Sequence, residues 1–477
     1  MTNVLICYYS AAGSSKYQDL ANSLCEEGNR VLQWNVKDWG NVKDSALDKQ
    51  NILEQVSLFK ADLIFSYNNC LPEELFYNVE CPILIVDADN PEMFFNKELL
   101  KKNFNKDNLY YLFYQSNSRL LYKKIFDFDV DDKKSLFFPP ASNFKNRPTS
   151  DPKINISFIG SNFFHNYINY YQESELKDFF SIFDSVRSDY FYKNNSTKID
   201  ESVIERVKYV IAGQERISYL ECVSDLGLEI YSNSDWKIGL INVNAKVASC
   251  YKDKPITTNV ENENLYNSSK ISINLSHPQA INSFSWRVPD IMASNSCLVM
   301  EDKPDWHEVF GKYISTEVKE AIIYQDQYDM RQKCIKLLND EELRLQCVKE
   351  CQNAIEKNGR WRHRLIEISN LLEINLINNK NIIEDEHNQR NNILVLSTGV
   401  VIKKNNGIIE DEHNQRNNIL VLSTGGVIKK NNGSIKLFYY SFLIFIYFVP
   451  FCGKIIIKKK KIIKIINKIM MKITTIR

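Results

Sequence analysis

Two charged residues of opposite sign stand three positions apart in the segment Phe284 to Phe310, FSWRVPDIMASNSCLVMEDKPDWHEVF. Arg287 and Asp290 precede an apolar run, and Pro289 fits the first turn of a helix, where a missing N–H costs least. The start of a helix presents unpaired N–H groups, so an arginine there favours binding of an anion such as a diphosphate. We predict an anion and sugar site at Arg287 and Asp290. A surface ion pair between these two residues is the alternative.

Short apolar runs alternate with helical stretches along the first 150 residues. SSKYQDLANSLCEEG (14–28) predicts an amphipathic helix. The predicted buried strands are NVLICYY (3–9), DLIFSY (62–67), CPILIVDAD (81–89) and NLYYLFY (108–114). This alternation is typical of a parallel sheet with crossover helices. Residues 1–150 are therefore predicted to form a Rossmann-like α/β domain.

A second strand–helix series follows a proline-rich stretch, FFPPASNFKNRPTSDPK (137–153), which predicts a linker. Its predicted strands are INISFIGSN (154–162), LGLEIYSNSDW (226–236), KISINLS (270–276), SCLVMED (296–302) and EAIIYQD (320–326), and residues 329–372 are predicted to be helical. The fold class is thus α/β with two facing domains, 1–150 and 151–375. Ligands of open α/β sheets bind at the carboxyl ends of the strands, which predicts a site in the cleft between the domains.

The charge balance argues against a nucleic-acid partner. The chain holds 60 Lys and Arg against 59 Asp and Glu, a net charge of +1. Residues 454–477 hold eight lysines, one arginine and no acid, so the preceding residues carry a net charge of about −8. Eleven scattered cysteines without CxxC spacing, and no basic segment before the first strand, predict a cytoplasmic protein without a signal peptide.

The stretch YNSSKISINLSHPQAINSFSWRVPDIMASNSCLVMEDKPDWHEVF (266–310) resembles the C-terminal domain of group-1-like glycosyltransferases related to the spore-coat maturation type. In that family a strand precedes the pattern R-x-x-E-x-(L/M)-A-(S/C/A)-G, matched here from Arg287 to Asn295. NISFIGSNF (155–163), LEIYSNSDW (228–236) and GRWRHRL (359–365) are similar to further family segments. The resemblance covers residues 150–370 well and the N-terminal half only in pattern.

The resemblance implies a GT-B fold and a hexosyltransferase-like enzyme of cell-surface glycan biosynthesis. It implies a nucleotide-sugar donor held mainly by the second domain, at Gly160, Ser161, Asn162, Arg287 and Asp290, and a glycan, lipid-linked or protein acceptor on the side of the first. No metal and no permanently bound cofactor are expected, because no DxD-type motif that demands a metal is evident and enzymes of the GT-B fold generally act without one. Two departures motivate a catalytically inactive nucleotide-sugar or glycan-binding protein as the alternative. Asp290 replaces the family's glutamate, and Asn295 replaces a glycine, although asparagine also tolerates a left-handed backbone.

Catalytic candidates follow from the need for a base near the acceptor hydroxyl in an inverting transfer. Asp87 and Asp89 end a predicted buried strand, where cleft residues belong, and capping of a loop is the alternative role for both. His165 follows the FIGSNFF segment and is the third candidate, with a helix cap as its alternative. His277 and His307 lie near the same predicted site and are expected to form local hydrogen bonds.

The loop YYSAAGSSK (8–16) resembles the phosphate loop of flavodoxins, in which hydroxyls and backbone N–H groups before a helix bind FMN phosphate. Ser10, Gly13 and Ser14 are its predicted ligand-binding residues. In a GT-B protein the same loop faces the cleft and binds acceptor or diphosphate. An FMN-binding redox protein is therefore a further alternative, and a helix cap by Ser14 or Ser15 is the structural one.

The C-terminal region departs from the rest of the chain. Residues 382–407 and 408–433 are a tandem repeat of 26 residues that differs only at Val400 and Gly426, which indicates a recent duplication rather than a domain over 376–436. NILVLSTGG within it also resembles the opening strand and turn of an α/β domain. Residues 437–453 carry no charge and precede a Lys- and Ile-rich tail, so a membrane anchor over 437–477 and an unselected low-complexity tail are both open.

Overall fold

A computed structural model of the chain describes residues 1–9, 15–36, 46–89, 91, 94–146, 152–163, 201–232, 236, 244–254, 256–378, 393–396 and 420–421. These residues all belong to one unit, Met1–Thr424. Predicted site residues Ser10, Gly13, Ser14 and His165 lie outside the described residues, as do residues 437–477. Within the described ranges, no helix combines the length and the apolar character needed to cross a bilayer.

The strands form two sheets that are parallel throughout. The described strands are β1 (Asn3–Tyr8), β2 (Arg30–Asn35), β3 (Leu63–Tyr67), β4 (Ile83–Asp87), β5 (Leu109–Phe113), β6 (Ser135–Phe137), β7 (Ile154–Ile159), β8 (Leu228–Tyr231), β9 (Ser269–Asn274), β10 (Cys297–Glu301), β11 (Ile323–Tyr324), β12 (Ile393–Leu396) and β13 (Leu420–Val421). The first sheet has the order β13-β12-β2-β1-β3-β4-β5-β6 and the second β11-β10-β9-β7-β8. The two-sheet α/β architecture expected from the sequence is confirmed.

Helices connect the strands as crossovers, as parallel pairing requires. The described helices are α1 (Ser15–Glu26), α2 (Ala46–Phe59), α3 (Glu73–Asn78), α4 (Lys97–Asn103), α5 (Ser118–Phe126), α6 (Glu201–Cys222), α7 (Ala245–Cys250), α8 (Asn259–Asn267), α9 (Arg287–Ala293), α10 (Pro304–Val309), α11 (Thr316–Ile322), α12 (Gln327–Asn339), α13 (Glu341–Asn358) and α14 (Trp361–Leu372). Each apolar run that was predicted as a strand overlaps one of the described strands.

Both faces of the first sheet are buried, which explains its continuous apolar strands. Leu5 and Ile64 pack on one face, whereas Val4 and Phe65 pack on the other. The sequence prediction missed β2, because Gln33 and Asn35 interrupt its apolar pattern. Gln33 is buried in that strand, and its Nε2 donates to the Tyr17 carbonyl at 3.2 Å.

The last long helix returns from the second sheet to the first. Trp361, Leu365 and Ile368 on α14 are buried in the same apolar cluster as Val4 of β1. The Arg364 guanidinium is buried beside them, and its Nε donates to the Pro139 carbonyl at 3.1 Å. Helix α14 therefore packs against the predicted linker. Residues 138–142 of the linker are buried.

The tandem repeat contributes an edge to the first sheet. β12 lies beside β2, with Ile393 opposite Val31. β13 pairs with β12 so that Leu394 lies opposite Leu420, exactly one repeat later in the chain. In the structure this apolar run thus extends an existing sheet.

Candidate functional site

The carboxyl ends of the two sheets meet around the residues that follow β5. The Gln115 side chain donates to the Gln279 carbonyl at 2.9 Å, and its Oε1 accepts the Ile281 amide at 3.0 Å. The Ser283 hydroxyl donates to the Tyr114 carbonyl at 2.8 Å. These bonds join the first sheet to the 277–283 loop, which follows β9 in the second. They hold the carboxyl edges of the two sheets against each other.

A buried carboxyl strengthens this connection. Asp305, at the start of α10, accepts the Ser116 amide at 3.1 Å and the Ser116 hydroxyl at 2.5 Å. Burial raises the pKa of the Asp305 carboxyl, although both hydrogen bonds favour its charged form. Sequence reasoning missed this residue as a contact between the sheets, because its partner lies 189 positions away.

The predicted loop after β7 forms a tight turn at the carboxyl edge of the second sheet. The Gly160 amide donates to the Tyr231 carbonyl at 3.1 Å, and a Cβ at Gly160 would lie 2.5 Å from the Phe158 ring. The Ser161 hydroxyl accepts the Phe163 amide at 3.0 Å, and Asn162 is buried. Phe163 has a φ of 63°, a left-handed conformation that non-glycine residues adopt only under constraint.

Arg216 of α6 supplies that constraint, and sequence reasoning did not identify it. Its guanidinium donates to the Ser161 carbonyl at 2.5 Å and to the carbonyls of Leu275 and Ser276 at 3.1 and 3.0 Å. It also lies 4.1 Å from the centre of the Phe163 ring. One buried cation therefore ties the loop after β7 to the loop after β9.

Three aromatic rings cover this junction. The rings of Phe163, Tyr209 and His277 lie 5.4 to 5.5 Å apart in edge-to-face arrangements. The Gln279 backbone amide donates to His277 Nδ1 at 3.4 Å. This is a local hydrogen bond of the kind expected for His277. His307 hydrogen-bonds Asp302 at 2.7 Å in an exposed pair, again a local role.

Arg287 and Asp290 lie on α9 at the meeting of the two sheets. Ser285, just before this helix, donates to the Asn274 side chain at 2.6 Å, at the carboxyl end of β9. The Trp286 ring lies 4.8 Å from Tyr114 of the first sheet. Arg287 is exposed and begins the helix. The role of this arginine in binding an anion stays a prediction.

The Asp290 carboxyl is enclosed by protein groups. Burial and the nearby Asp19 carboxyl raise its pKa well above the ordinary range, whereas a hydrogen bond from Ser142 and the charge of Arg287 oppose the shift. Asp19 lies on α1, where Asn259 Nδ2 donates to its Oδ1 at 2.8 Å, and burial raises its pKa to about 6. Two carboxyls of raised pKa thus face each other between α1 and α9.

Asn295 keeps an ordinary backbone. It is not among the described residues with positive φ, so the left-handed conformation that would have explained a glycine in the family pattern is not used. Its amide donates to the Asn267 side chain at 3.0 Å, and its Oδ1 accepts Gln352 Nε2 at 3.4 Å. This substitution therefore leaves the turn after α9 unstrained.

The two candidate aspartates after β4 differ in environment. Asp87 is buried, its Oδ1 accepts the Tyr114 amide at 2.5 Å, and burial raises its pKa well above the ordinary range. Asp89 is exposed at the sheet edge. Its Oδ2 accepts Asn68 Nδ2 at 2.6 Å, and its amide donates to Asn68 Oδ1 at 3.0 Å. Asp87 is held as a link between strands, whereas the Asp89 carboxylate is oriented at the surface.

Comparison with known proteins agrees with this architecture. Residues 218–370 match the family described as glycosyl transferase-like. Two structures of HepE from Anabaena, one with UDP-glucose and one with UDP and glucose, share 9% and 10% identity, cover 78% of this chain and 100% of theirs, and have a TM-score of 0.50. The DNA-modifying β-glucosyltransferase, which further matched structures assign to phage T4, shares 14% identity over 78% of this chain and 100% of its own, with a TM-score of 0.46. No curated protein matches the chain.

The two-sheet architecture is that of the GT-B fold. Within it, residues 218–370 are the part of the chain that is similar to glycosyl transferase-like proteins.

Proposed function

We propose that the protein transfers a sugar from a nucleoside diphosphate donor to a hydroxyl group of a glycan, lipid-linked or protein acceptor. The observation that carries the proposal is the meeting of two carboxyl edges through Gln115, with Arg287 on one side and Asp89 on the other. A cleft of this kind brings a cationic donor site and an anionic base together.

In this proposal the second sheet holds the donor. The polar groups of Ser161 and Asn162 and the Arg287 guanidinium contact the diphosphate, whose negative charge increases as the bond to the sugar breaks. Asp290 takes part as a neutral or charged hydrogen-bond partner of the donor, according to pH. No metal is required in this scheme, because the arginine supplies the positive charge.

Asp89 is the proposed base, in preference to Asp87. Its exposed carboxylate removes a proton from the acceptor hydroxyl, and the resulting oxygen attacks the anomeric carbon as the diphosphate leaves. A base in this role implies inversion at that carbon. Proton NMR of the product, compared with the donor, tests this directly, and retention of the anomeric configuration would contradict it.

Isothermal titration calorimetry tests the donor site. The ligands to titrate are UDP, GDP, ADP and dTDP. UDP is titrated first, because the HepE structure contains UDP-glucose. Arg287→Ala should weaken the affinity for the preferred diphosphate by about tenfold or more, as expected for loss of a charge-assisted hydrogen bond. Arg119→Ala, which removes another arginine, paired with Asp132, is the matched control. Equal affinities of both variants and wild type would refute the assignment.

A binding protein without turnover is the second candidate. The enclosure of Asp290 by Ser142 and Asp19 favours it, because a carboxyl engaged within the protein is less able to contact a donor. Diphosphate binding without release of sugar from any donor, with or without acceptor, would support this candidate. The FMN-binding alternative has no support from the two-sheet fold or from the glycosyl transferase-like match.

A further inference from the structure

Two exposed aromatic rings lie side by side at the carboxyl edge of the first sheet. Tyr9 follows β1 directly and Phe95 follows β4, and their ring centres are 5.0 Å apart at an angle of 40°. The two residues are 43% and 37% exposed. Single exposed apolar side chains are common, whereas two adjacent aromatic rings give a continuous apolar surface on which a ligand can pack.

The backbone around this pair is rigidly built. Asn68 and Asn69, after β3, have φ values of 50° and 52°, which asparagine tolerates better than other side chains. The Phe95 amide donates to the Asn68 carbonyl at 3.0 Å, and Asn69 Nδ2 donates to the Phe95 carbonyl at 3.2 Å. The left-handed turn therefore fixes Phe95 from both sides.

The same turn also orients a carboxylate. Asn68 holds Asp89 through two reciprocal hydrogen bonds, of 2.6 and 3.0 Å. Asn68 therefore positions both the Phe95 ring and the Asp89 carboxylate. These groups lie at the ends of three adjacent strands, β1, β3 and β4. This edge also bears the Gln115 contact with the second sheet.

We propose that Tyr9 and Phe95 form the binding platform for a saccharide acceptor, with Asp89 beside it. A pyranose has one apolar face of C–H groups and a rim of hydroxyls. The apolar face packs on an aromatic ring, and the hydroxyls need a few precisely placed polar groups. The pair supplies the first requirement, and the Asn68–Asp89 arrangement supplies the second. A lipid tail or an apolar peptide would use the rings but not the carboxylate.

The proposal rests on the proposed glycosyl transfer, and it narrows the acceptor to a carbohydrate. Stacking on the platform would direct a sugar hydroxyl towards Asp89, the group proposed to remove its proton. The donor site, in contrast, depends on the second sheet. Loss of the platform should therefore weaken acceptor binding and leave nucleotide binding unchanged.

Saturation-transfer NMR on the full-length protein tests the platform with cellobiose, lactose, N,N′-diacetylchitobiose and α-1,2-mannobiose as probes. The double variant Tyr9→Ala/Phe95→Ala should weaken binding of the recognised disaccharide at least tenfold, whereas Tyr9→Phe should bind within threefold of wild type. Tyr77→Ala is the matched control. Tyr77 is an exposed aromatic residue whose ring contacts Phe76. It lies in the last turn of α3, near the starts of the strands at the opposite edge of the sheet.

Affinity for the preferred nucleoside diphosphate is measured in parallel and should agree within twofold between the double variant and wild type, which also shows that the variant is folded. Unchanged disaccharide binding by the double variant would overturn the proposal. Failure of wild type to bind any of the disaccharides, while it binds nucleotide, would equally overturn the assignment of a saccharide. Disaccharide binding that depends on the two rings, in a protein that binds no nucleotide, would support the platform and refute the proposed transfer.

Discussion

Removal of the Arg216 guanidinium should disorganise two site loops at once. Arg216→Ala deletes three hydrogen bonds to backbone carbonyls and one cation–π contact. The bond to the Leu275 carbonyl is fully buried, and an unpaired buried acceptor costs about 2 kcal/mol. The two partly buried carbonyls regain water and cost about 0.5 kcal/mol each, and the lost ring contact adds about 1 kcal/mol.

These contributions amount to a loss of about 4 kcal/mol in the free energy of unfolding. For a protein of this size, a loss of that order lowers the melting temperature by roughly 4 °C. Arg216→Lys keeps the charge but not the planar fork that spans two strands, so about half of the loss should remain. Differential scanning calorimetry measures both variants, and hydrogen exchange of peptides covering 160–163 and 275–277 should accelerate in parallel.

Arg331→Ala is the matched control for this experiment. Arg331 pairs with Asp225, which lies just after the same helix, α6, but this pair is exposed to solvent and is therefore expected to contribute little to stability. A melting temperature of Arg216→Ala equal to that of Arg331→Ala, with unchanged exchange in both loops, would refute the role of Arg216. If Arg216→Ala loses exchange protection in both loops but keeps its nucleotide affinity, the order of these loops is not needed for donor binding.

Three further predictions concern other parts of the molecule. Asp87→Asn should retain the bond from the Tyr114 amide and unfold within about 1 kcal/mol of wild type, whereas Asp87→Ala should lose about 2–4 kcal/mol in urea denaturation; equal losses would contradict the structural role of Asp87. Because the pKa of Asp19 is raised to about 6, the native state holds its proton more firmly than the unfolded chain, so stability should fall as pH rises from about 4 to 6 and then level off. Asp19→Asn should flatten that part of the stability profile measured by urea denaturation at each pH, and a slope equal to that of wild type would contradict the assignment. Deletion of residues 408–433 removes β13 and leaves β12 in place, so the melting temperature should change by less than about 2 °C, and a larger fall would show that the second repeat stabilises the fold.

The sequence predicted the sheets because their strands are buried on both faces and therefore form uninterrupted apolar runs. β2 was not predicted because its buried Gln33 is polar, and the partner of the Gln33 Nε2 group, the Tyr17 carbonyl on α1, is evident only from the structure. The return of α14 to the first sheet was also not predictable from local pattern. Its core residue Trp361 contacts Trp286 and Phe138, far away in the sequence.

The site was predictable only in part, for a related reason. Arg287 could be named as a candidate because its spacing from Asp290 and its place at a helix start are local features. The sequence could not choose between Asp87 and Asp89 as the base, because both lie at the end of the same strand. The structure distinguishes them by their hydrogen bonds, of Asp87 with the Tyr114 amide and of Asp89 with Asn68. Arg216 was missed because its partners are 55 to 60 residues away.

The central claim is that the cleft of this GT-B protein binds a nucleotide donor through Arg287. The most direct test is a thermal-shift screen of the full chain and of Arg287→Ala against UDP, GDP, ADP, CMP, dTDP and FMN. A ligand that binds only the native state at 100 times its dissociation constant adds about 2.7 kcal/mol of stability and raises the melting temperature. We expect one nucleotide to raise the melting temperature of wild type, to do so much less in the variant, and FMN to have no effect. A shift with FMN alone, or no shift with any of the nucleotides, would contradict the account.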